Sequence, residues 1–291
     1  MFRDFNLALE KAKNRVLTYP ASTSRLLEVH PSQIPICPTS FILDFNTDLY
    51  YSKTLTSSLT LDCGTKVHEI MQDYLSYDKT MFGNYVCPNC GIFFELTTGG
   101  KLCPDCHSPL RYLEIPINYD GFSGHVDCII KSKDDKYYLV DFKTTGSNTI
   151  DKKVKNTPFE YQLQTLSYAY LLWAQYKIRI REIAICYINR DNFNDIRMGY
   201  YKKVTKENLK KIRKLLYQQK ELKEFLLNCK SYKEFMENVG IQKCTNPYCK
   251  YCKLKNVNSL LRNKFEQLGG KSIKEYIDEH NDKQDNSGKA I

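Results

Sequence analysis

The stretch GHVDCIIKSKDDKYYLVDFKTTG, residues 124–146, constrains the fold more than any other part of the sequence. Its polar segment KSKDDK is typical of a turn between two strand-like runs and predicts a β-hairpin. If the turn centres on Asp134, Asp127 lies directly opposite Asp141, and opposed residues point to the same face. Lys143, two residues beyond, points there as well. Two carboxylates and one ammonium are therefore expected on one patch.

Opposed carboxylates repel each other, so this patch requires a compensating cation. A magnesium or manganese ion held by oxygen ligands provides one. The alternative is a solvent-exposed hairpin whose charges never meet. Burial opposes that alternative, because apolar residues on both faces predict a buried hairpin and buried carboxylates require partners. These apolar residues are Val126, Cys128, Ile129, Ile130, Tyr138, Leu139, Val140 and Phe142.

Further motifs stand in a fixed order around the hairpin. GTKVHE precedes it, the hairpin contains GHVD and DFKTTG, and YQLQTLSYAYLL follows it. This series resembles the histidine helix and the GxxD, D-x-K and QxxxY motifs of RecB-type PD-(D/E)XK nucleases. HPSQIPICPTSF resembles that family's N-terminal segment with an iron–sulfur cysteine, so the resemblance spans residues 32 to 252. Among members of this family, the series resembles CRISPR-adaptation exonucleases and the nuclease domains of bacterial helicase–nucleases.

The resemblance implies an α/β, restriction-endonuclease-like core, in which helices flank a mixed central sheet. It implies that His68, Asp127 and Asp141 hold the catalytic Mg²⁺ or Mn²⁺, with the Phe142 backbone carbonyl as a further ligand. Lys143 would orient or help deprotonate the attacking water, or stabilise the charge on the phosphate. For His68, the alternative is a helix histidine satisfied by a backbone carbonyl.

Two polar residues on the predicted helix 158–176 are candidates as well. Gln164 and Tyr168 are four residues apart and share one helix face, which in the family flanks the active site and contacts DNA. The alternative is an ordinary core helix, but a polar Gln164 in apolar surroundings must find a partner. The core residues expected on this helix are Leu163, Leu166, Leu171, Leu172 and Trp173. Elsewhere, Glu69 is expected to support the site or to lie on the helix surface, and Glu114 could contribute to a second metal.

Two CxxC pairs, separated by twelve residues, predict a zinc ribbon with four thiolate ligands. The ligands are Cys87, Cys90, Cys103 and Cys106. Disulfides are disfavoured if the protein stays in the reducing cytosol, as the targeting signals below predict, and the duplication disfavours a redox CxxC. Gly91 and His107 follow the pairs at positions where tight turns are expected. Because the ribbon interrupts the nuclease motifs, we expect an insertion that the core does not need for folding.

A second cysteine cluster, Cys244, Cys249 and Cys252, supplies three thiolates. A tetrahedral site requires a fourth ligand. The family resemblance assigns it to Cys37 and implies a 4Fe–4S cluster. The spacing departs from the common family pattern, so a second Zn²⁺ is the alternative. The remaining cysteines are expected as buried apolar thiols. They are Cys63, Cys128, Cys186 and Cys229.

These features predict five segments and a set of secondary-structure elements. The segments are an N-terminal helical part with Cys37 and His68 (1–82), the ribbon (83–110), the catalytic core (111–200), a helical region with the second cysteine cluster (201–256), and a C-terminal helix with a disordered tail from about 280 (257–291). The elements are helices over 1–20, 62–77, 158–176 and 205–239, and strands over 111–119, 124–131, 136–142 and 181–189.

Charge and targeting signals limit the function classes. The net charge of +10 favours a polyanionic partner such as nucleic acid. No apolar run reaches the roughly 18 residues that span a membrane, and MFRDFNLALEKAK lacks a signal peptide's apolar stretch, so we expect a cytoplasmic protein without membrane contact. The basic run 202–214, KKVTKENLKKIRK, is either a solvated helix face or a surface that follows phosphates.

The main functional hypothesis is a metal-dependent DNA exonuclease acting on single strands or ends. By resemblance it would serve recombination, repair or replication, with DNA and a helicase or recombination protein as partners. The alternative is a catalytically silent module that binds nucleic acid or a partner through its zinc ribbon. A zinc deaminase is excluded, because it requires H-x-E followed by P-C-x-x-C and the sequence has neither.

Overall fold

The computed structural model describes residues 2–241, 249 and 251–287, which form two compact units. The terminal unit comprises Met1–Val29, Gln33–Leu55 and Leu216–Ile291, and the central unit comprises His30–Ser32 and Thr56–Leu215. Among the helices within these described ranges, none has the length and apolar character needed to cross a membrane.

The central unit is built around a mixed sheet, in which the described residues form seven strands. The strands are β3 (Met81–Val86), β4 (Phe93–Thr98), β5 (Arg111–Leu113), β8 (Cys128–Lys131), β9 (Tyr137–Thr145), β10 (Ile180–Asn189) and β11 (Ile196–Lys203). Their order is β11-β10-β9-β8-β3-β4, and β5 also pairs with β3. Strands β9 and β10 are parallel, and the other pairs are antiparallel. The sheet and its flanking helices confirm the predicted α/β, restriction-endonuclease-like core.

The predicted hairpin is present, and its register is the predicted one. Cys128 pairs with Val140, and Ile130 pairs with Tyr138, so the register is symmetric about Asp134. The predicted strand 124–131 is wrong in one respect, because it is two strands. Strand β7 (Phe122–Val126) ends before Asp127 and pairs with β6 (Ile115–Tyr119), whereas β8 begins after Asp127. Asp127 therefore lies at a break between two sheets. The predicted strand 111–119 is likewise divided, into β5 and β6.

Helices cover the central sheet and connect its parallel strands. They are α4 (Leu55–Ser76), α5 (Ser147–Lys155) and α6 (Phe159–Tyr176). Helices α5 and α6 form the crossover that two parallel strands require. The predicted core residues Leu163, Leu166, Leu171 and Leu172 are buried. The prediction for Trp173 is wrong, because its side chain is 39% exposed. Nine residues separate it from Gln164, which rotates it about 180° around the helix axis to the opposite face.

The terminal unit combines a two-stranded sheet with short helices. Its elements are α1 (Phe2–Asn14), β1 (Val16–Pro20), α2 (Thr23–Leu27), α3 (Pro38–Asp44), β2 (Tyr50–Thr54), α8 (Tyr232–Asn238), α9 (Val257–Gln267) and α10 (Ile273–Ser287). Helix α7 (Lys206–Asn228) contributes its C-terminal half to this unit. The core of the unit contains Ile42, Leu226, Phe235, Leu261 and Ile277, all fully buried.

Two predictions fail in this unit. The helix predicted over 1–20 ends at Asn14, because Val16–Pro20 form β1 and pair with β2. Disorder was expected from about residue 280, whereas α10 continues to Ser287. Ile273 and Ile277 lie one helical turn apart and are buried, so they fix the start of α10 in the core. The polar residues that follow continue the same helix.

Candidate active site and cysteine clusters

Asp141 and Lys143 form an ion pair within the central unit. Both lie on β9 with one residue between them, so their side chains point to the same face. Asp141 is 3% exposed, and its Oδ2 lies 2.7 Å from the Lys143 Nζ. The Lys143 ammonium is the ionic partner of this oxygen, and among the described residues no other donor reaches it. Burial raises the pKa of Asp141 to about 6, although the adjacent ammonium opposes the rise.

Gln164 completes a chain of contacts with this ion pair. Lys143 Nζ donates a hydrogen bond of 3.0 Å to Gln164 Oε1. Burial disfavours the Lys143 ammonium, but Asp141 and Asp127 outweigh that effect and raise its pKa above the ordinary value. The Lys143 Nζ also lies 5.1 Å from the Tyr161 ring centroid, within range of a cation–π contact. Lys143 is therefore fixed in place and charged at neutral pH.

Asp127 is held by the strand opposite it. The Phe142 backbone N–H donates a hydrogen bond of 2.8 Å to Asp127 Oδ2. This contact forms because β8 begins only at Cys128, so Asp127 leaves the ladder and its side chain takes the free amide. His68, on α4, places its Nδ1 3.6 Å from the same oxygen. Burial lowers the pKa of His68, but the adjacent carboxylate of Asp127 outweighs this, and the net pKa is raised.

The three predicted metal ligands thus lie in one neighbourhood but do not form a closed cage. His68, Asp127 and Asp141 are all described, yet no choice of ligand atoms brings all three within 4.8 Å of one another. The chemistry of the site nevertheless fits a divalent cation. Two neighbouring carboxylates, one of them with a buried oxygen that has only an ionic partner, are the oxygen ligands that Mg²⁺ and Mn²⁺ prefer. The Phe142 carbonyl as a ligand stays a prediction.

Tyr168 lies beside this site and against the GHVD motif. Its side chain is 6% exposed, and burial raises its pKa above the ordinary value, while polar contacts with Gln164 and the His125 backbone limit the rise. A Cβ on Gly124 would lie 2.9 Å from the Tyr168 hydroxyl oxygen. Only glycine leaves room for the Tyr168 ring at this distance.

Sequence reasoning missed Gln72. It lies one helical turn after His68 on α4 and is 7% exposed. Its Nε2 donates to Glu114 Oε1 at 2.8 Å and to the Asp127 backbone carbonyl at 3.0 Å. The only signal in the sequence was its spacing of four residues from His68, which places both on one face of the helix. Glu69, by contrast, lies on the helix surface, where its carboxylate is 2.5 Å from the Lys66 ammonium.

The four ribbon cysteines converge as the sequence predicts, with thiols all within 4.8 Å of one another. The two knuckles repeat one backbone pattern: Gly91 N donates to Cys87 O at 2.9 Å, and His107 N donates to Cys103 O at 2.9 Å. Gly91 and His107 have positive φ values of 72° and 58°, so tight turns occur where we expected them. Four converging thiols match the ligand set of tetrahedral zinc.

The ribbon is continuous with the central sheet. Strand β3 leads into its first knuckle and also pairs with β8, the first strand of the catalytic hairpin. The ribbon residues Cys87 and Cys103 are buried in one hydrophobic cluster with Val67 and Phe142. This shared core argues against our expectation that the ribbon is dispensable for folding.

Three cysteines also converge in the terminal unit. Cys37 Sγ lies 3.7 Å from Cys249 Sγ and 3.3 Å from Cys252 Sγ. Cys37 immediately precedes α3, and Pro38 at the first helical position fixes the turn that presents its thiol. Cys244, the fourth predicted ligand, lies outside the described residues. Cys128, Cys186 and Cys229 are buried as predicted, whereas Cys63 is only half-buried.

Comparison with protein-family models matches residues 94–257, more than half of the 291-residue chain, to the PD-(D/E)XK nuclease superfamily. The matched range includes Asp127, Asp141 and Lys143, but not His68 or Cys37. Comparison with curated proteins found no match. The crystal structure of SSO0001 is similar over 67% of this chain and 75% of that chain, with 13% identity and a TM-score of 0.37, too low to carry an argument. The family match, together with the sheet and the D-x-K hairpin, establishes that this chain belongs to the PD-(D/E)XK nuclease superfamily.

Proposed function

We propose that this protein is a divalent-metal-dependent nuclease that hydrolyses phosphodiester bonds in DNA. The observation that carries the proposal is the buried Asp141–Lys143 ion pair, 2.7 Å long, beside Asp127, whose carboxylate accepts a hydrogen bond from the Phe142 backbone N–H on the same strand as the pair. Holding a partly exposed carboxylate close to a buried one is unfavourable unless the two perform a task that requires both. Binding a cation is such a task, and superfamily members are usually metal-dependent nucleases.

Each residue of the site has a distinct part in this proposal. Asp127 and Asp141, with His68, would hold the ion, and a divalent cation there would supply Lewis acidity to the phosphodiester and favour ionisation of the attacking water. Lys143 would stabilise the negative charge that develops on the phosphate. Gln164 would keep the ammonium in position.

The substrate proposal is narrower. We infer that the protein acts on single-stranded DNA or on DNA ends, as an exonuclease in recombination, repair or replication. The net charge of +10 supports a polyanionic substrate. The resemblance to RecB-type nucleases supports the choice of DNA and of end-directed cleavage, and a helicase or recombination protein would be a fitting partner.

The direct test uses end-labelled single- and double-stranded DNA and RNA, incubated with magnesium, manganese or EDTA. Wild-type protein should shorten labelled single-stranded DNA from an end only when the metal is present. Asp141→Asn should abolish cleavage, and Lys143→Met should reduce it by about 100- to 1,000-fold, as expected for loss of one charge-stabilising group.

The same hairpin offers a matched control. Asp134 and Lys136 repeat the D-x-K spacing in the exposed turn, where they form a surface ion pair. Asp134→Asn and Lys136→Met therefore make the same chemical changes on the same hairpin and should leave cleavage unchanged. If wild-type protein cuts none of these substrates with either metal, the nuclease proposal fails. The catalytically silent binding module then becomes the better explanation.

The cysteine clusters would hold structural metals. We propose Zn²⁺ at the ribbon, because its two knuckles are equivalent and its four thiols converge. For the second cluster we propose a 4Fe–4S centre completed by Cys244, with a second Zn²⁺ as the alternative. The meeting of Cys37 with Cys249 and Cys252 supports a shared site there. Neither metal needs to exchange electrons for hydrolysis to proceed.

A further inference from the structure

A cavity of about 400 Å³ lies on the side of α6 opposite Gln164. Its floor is aromatic and apolar, and its volume falls within the range of small-ligand pockets. The floor residues are Ala169, Tyr170, Trp173, Ile180, Val204 and Leu209. Trp173 is 39% exposed here, although it belongs to a helix that is otherwise largely buried. All these residues belong to the central unit.

The rim of this cavity is basic. Arg179, Lys206, Lys210 and Arg213 line it, and no carboxylate does. In the described part of the chain, Arg179, Lys206 and Lys210 form no ion pair. The nearest acidic residue in sequence, Glu207, is paired with Lys211, 2.6 Å away on the same helix. Four cations therefore line one apolar cavity whose other lining residues include no carboxylate.

The start of α7 adds to the positive potential. Thr205 lines the cavity and caps this 23-residue helix, since Asn208 N donates to Thr205 Oγ1 at 3.1 Å. The positive end of the helix dipole thus lies at the rim. This is also the basic run 202–214, for which the sequence left open a solvated face or a phosphate-binding surface.

We propose that this cavity binds one nucleotide unit of a single-stranded nucleic acid, outside the catalytic site. The base would stack against Trp173, and the flanking phosphates would contact the basic rim. Aromatic residues with surrounding cations are what single-strand binding requires, because every base has a stackable face and every linkage a charge. An acidic peptide would satisfy the rim but leave the aromatic floor unexplained. The proposal does not depend on cleavage.

Trp173 is the only tryptophan in the chain, so its fluorescence reports on this cavity alone. The test titrates the full chain with a twelve-residue oligothymidylate, without added divalent metal so that cleavage does not interfere. Binding should quench the emission. A fluorescein-labelled oligonucleotide, followed by anisotropy, gives the affinity of every variant. Trp173→Ala should weaken binding about 5- to 150-fold, the range for loss of one stacked base.

Charge reversal at the rim has a matched control. Lys206→Glu combined with Lys210→Glu should weaken binding at least 10-fold at about 0.1 M salt and reduce the salt dependence. Lys202→Glu combined with Lys214→Glu makes the same charge change in the same basic run, but away from the cavity, and should have a much smaller effect. Melting curves confirm that both variants fold.

Three results would overturn the proposal. The first is an oligonucleotide that binds without changing Trp173 emission. The second is an equal loss of affinity in the two charge-reversed pairs, which would indicate only general attraction. The third is quenching by thymidine monophosphate at the same concentration as by the oligonucleotide, which would make the cavity a free-nucleotide site. Each of these binding results can occur whether or not the protein cuts DNA. The cavity proposal and the nuclease proposal can therefore fail independently.

Discussion

At the residue scale, the contact between Gly124 and Tyr168 makes a sharp prediction. A Cβ at position 124 would lie 2.9 Å from the Tyr168 hydroxyl oxygen and 3.0 Å from its ring. Tyr168 is buried, so the ring has little freedom to withdraw. Gly124→Ala should therefore destabilise the protein by about 1–3 kcal/mol, as overpacking does, and should reduce cleavage. Urea unfolding and the nuclease assay measure the two effects.

Gly64 supplies the control for that substitution. It lies in α4, where a Cβ would meet only the Thr144 hydroxyl at 3.4 Å, an ordinary contact distance. Gly64→Ala should be neutral or stabilising by up to about 1 kcal/mol, because alanine favours the helix. Equal effects of Gly64→Ala and Gly124→Ala would contradict the importance of the close approach at Gly124.

The sequence could predict some of these residues and not others, for physical reasons. The facing of Asp127 and Asp141 follows from local geometry, because a turn centred on Asp134 determines which residues oppose each other. Gln72 was not predictable in the same way. Its partners Glu114 and the Asp127 carbonyl lie 42 and 55 residues away, and no local pattern specifies such contacts.

At the element scale, α7 contributes a buried lysine, Lys223, which contacts the backbone at the C-terminal end of α2. Lys223 is 2% exposed, and its ammonium donates to the carbonyls of Glu28 and of Arg25, the latter at 3.3 Å. Burial lowers its pKa to about 8 from an ordinary value of 10.5. Between these pH values the unfolded chain binds the proton and the folded chain does not. The contribution of Lys223 to stability therefore increases as the pH rises from about 8 to 10.5.

Comparison with Lys223→Met isolates this pH effect. From pH 7.5 to 9.5, the unfolding free energy of wild-type protein should rise by about 1–2 kcal/mol relative to that of the variant. Other titrating groups cancel in the difference. Lys220→Met, one turn earlier on the same helix, should follow wild type at both pH values. A constant difference between wild type and Lys223→Met would show that the lysine does not lose its proton in this window.

Elements with local patterns were predictable, whereas those defined by distant partners were not. Helix 158–176 and strand 181–189 were predicted nearly to the residue, because a long apolar run specifies each. Strand β1 falls within a predicted helix, since its partners in β2 lie 30 to 38 residues away. Strand β11 is missing from the predicted elements for a similar reason. Most of its residues are exposed, so the sequence shows no clear alternation, and its partner β10 stabilises the strand.

At the scale of the whole molecule, the ribbon supports the central sheet. Its buried thiols share a hydrophobic cluster with residues of α4, β8, β9 and β10. Cys103→Ser with Cys106→Ser should therefore remove one zinc per chain and lower the Tm by about 10 °C or more, because binding energy at a structural zinc is folding energy. Elemental analysis and calorimetry measure these changes. Cys63 is a half-buried thiol that belongs to neither metal-binding group of cysteines, so Cys63→Ser should retain the zinc. Unchanged zinc content in the double variant would refute the assignment.

The second cluster would connect distant parts of the chain within the terminal unit. Joining Cys37 to Cys252 closes a loop of more than 200 residues, whose closure entropy is about 5 kcal/mol plus a constant. A metal centre that fixes this contact should stabilise the native state substantially.

Anaerobically purified protein should be brown, with thiolate–iron absorbance at about 400 nm. Cys37→Ser and Cys244→Ser should each remove the colour and lower the Tm, whereas Cys229→Ser, a buried thiol of the same unit, should keep the colour. If the protein is colourless and contains two zinc ions per chain, the metal at this site is zinc and the set of ligands stands. If Cys37→Ser keeps its full metal content, Cys37 is not a ligand and the shared site is refuted.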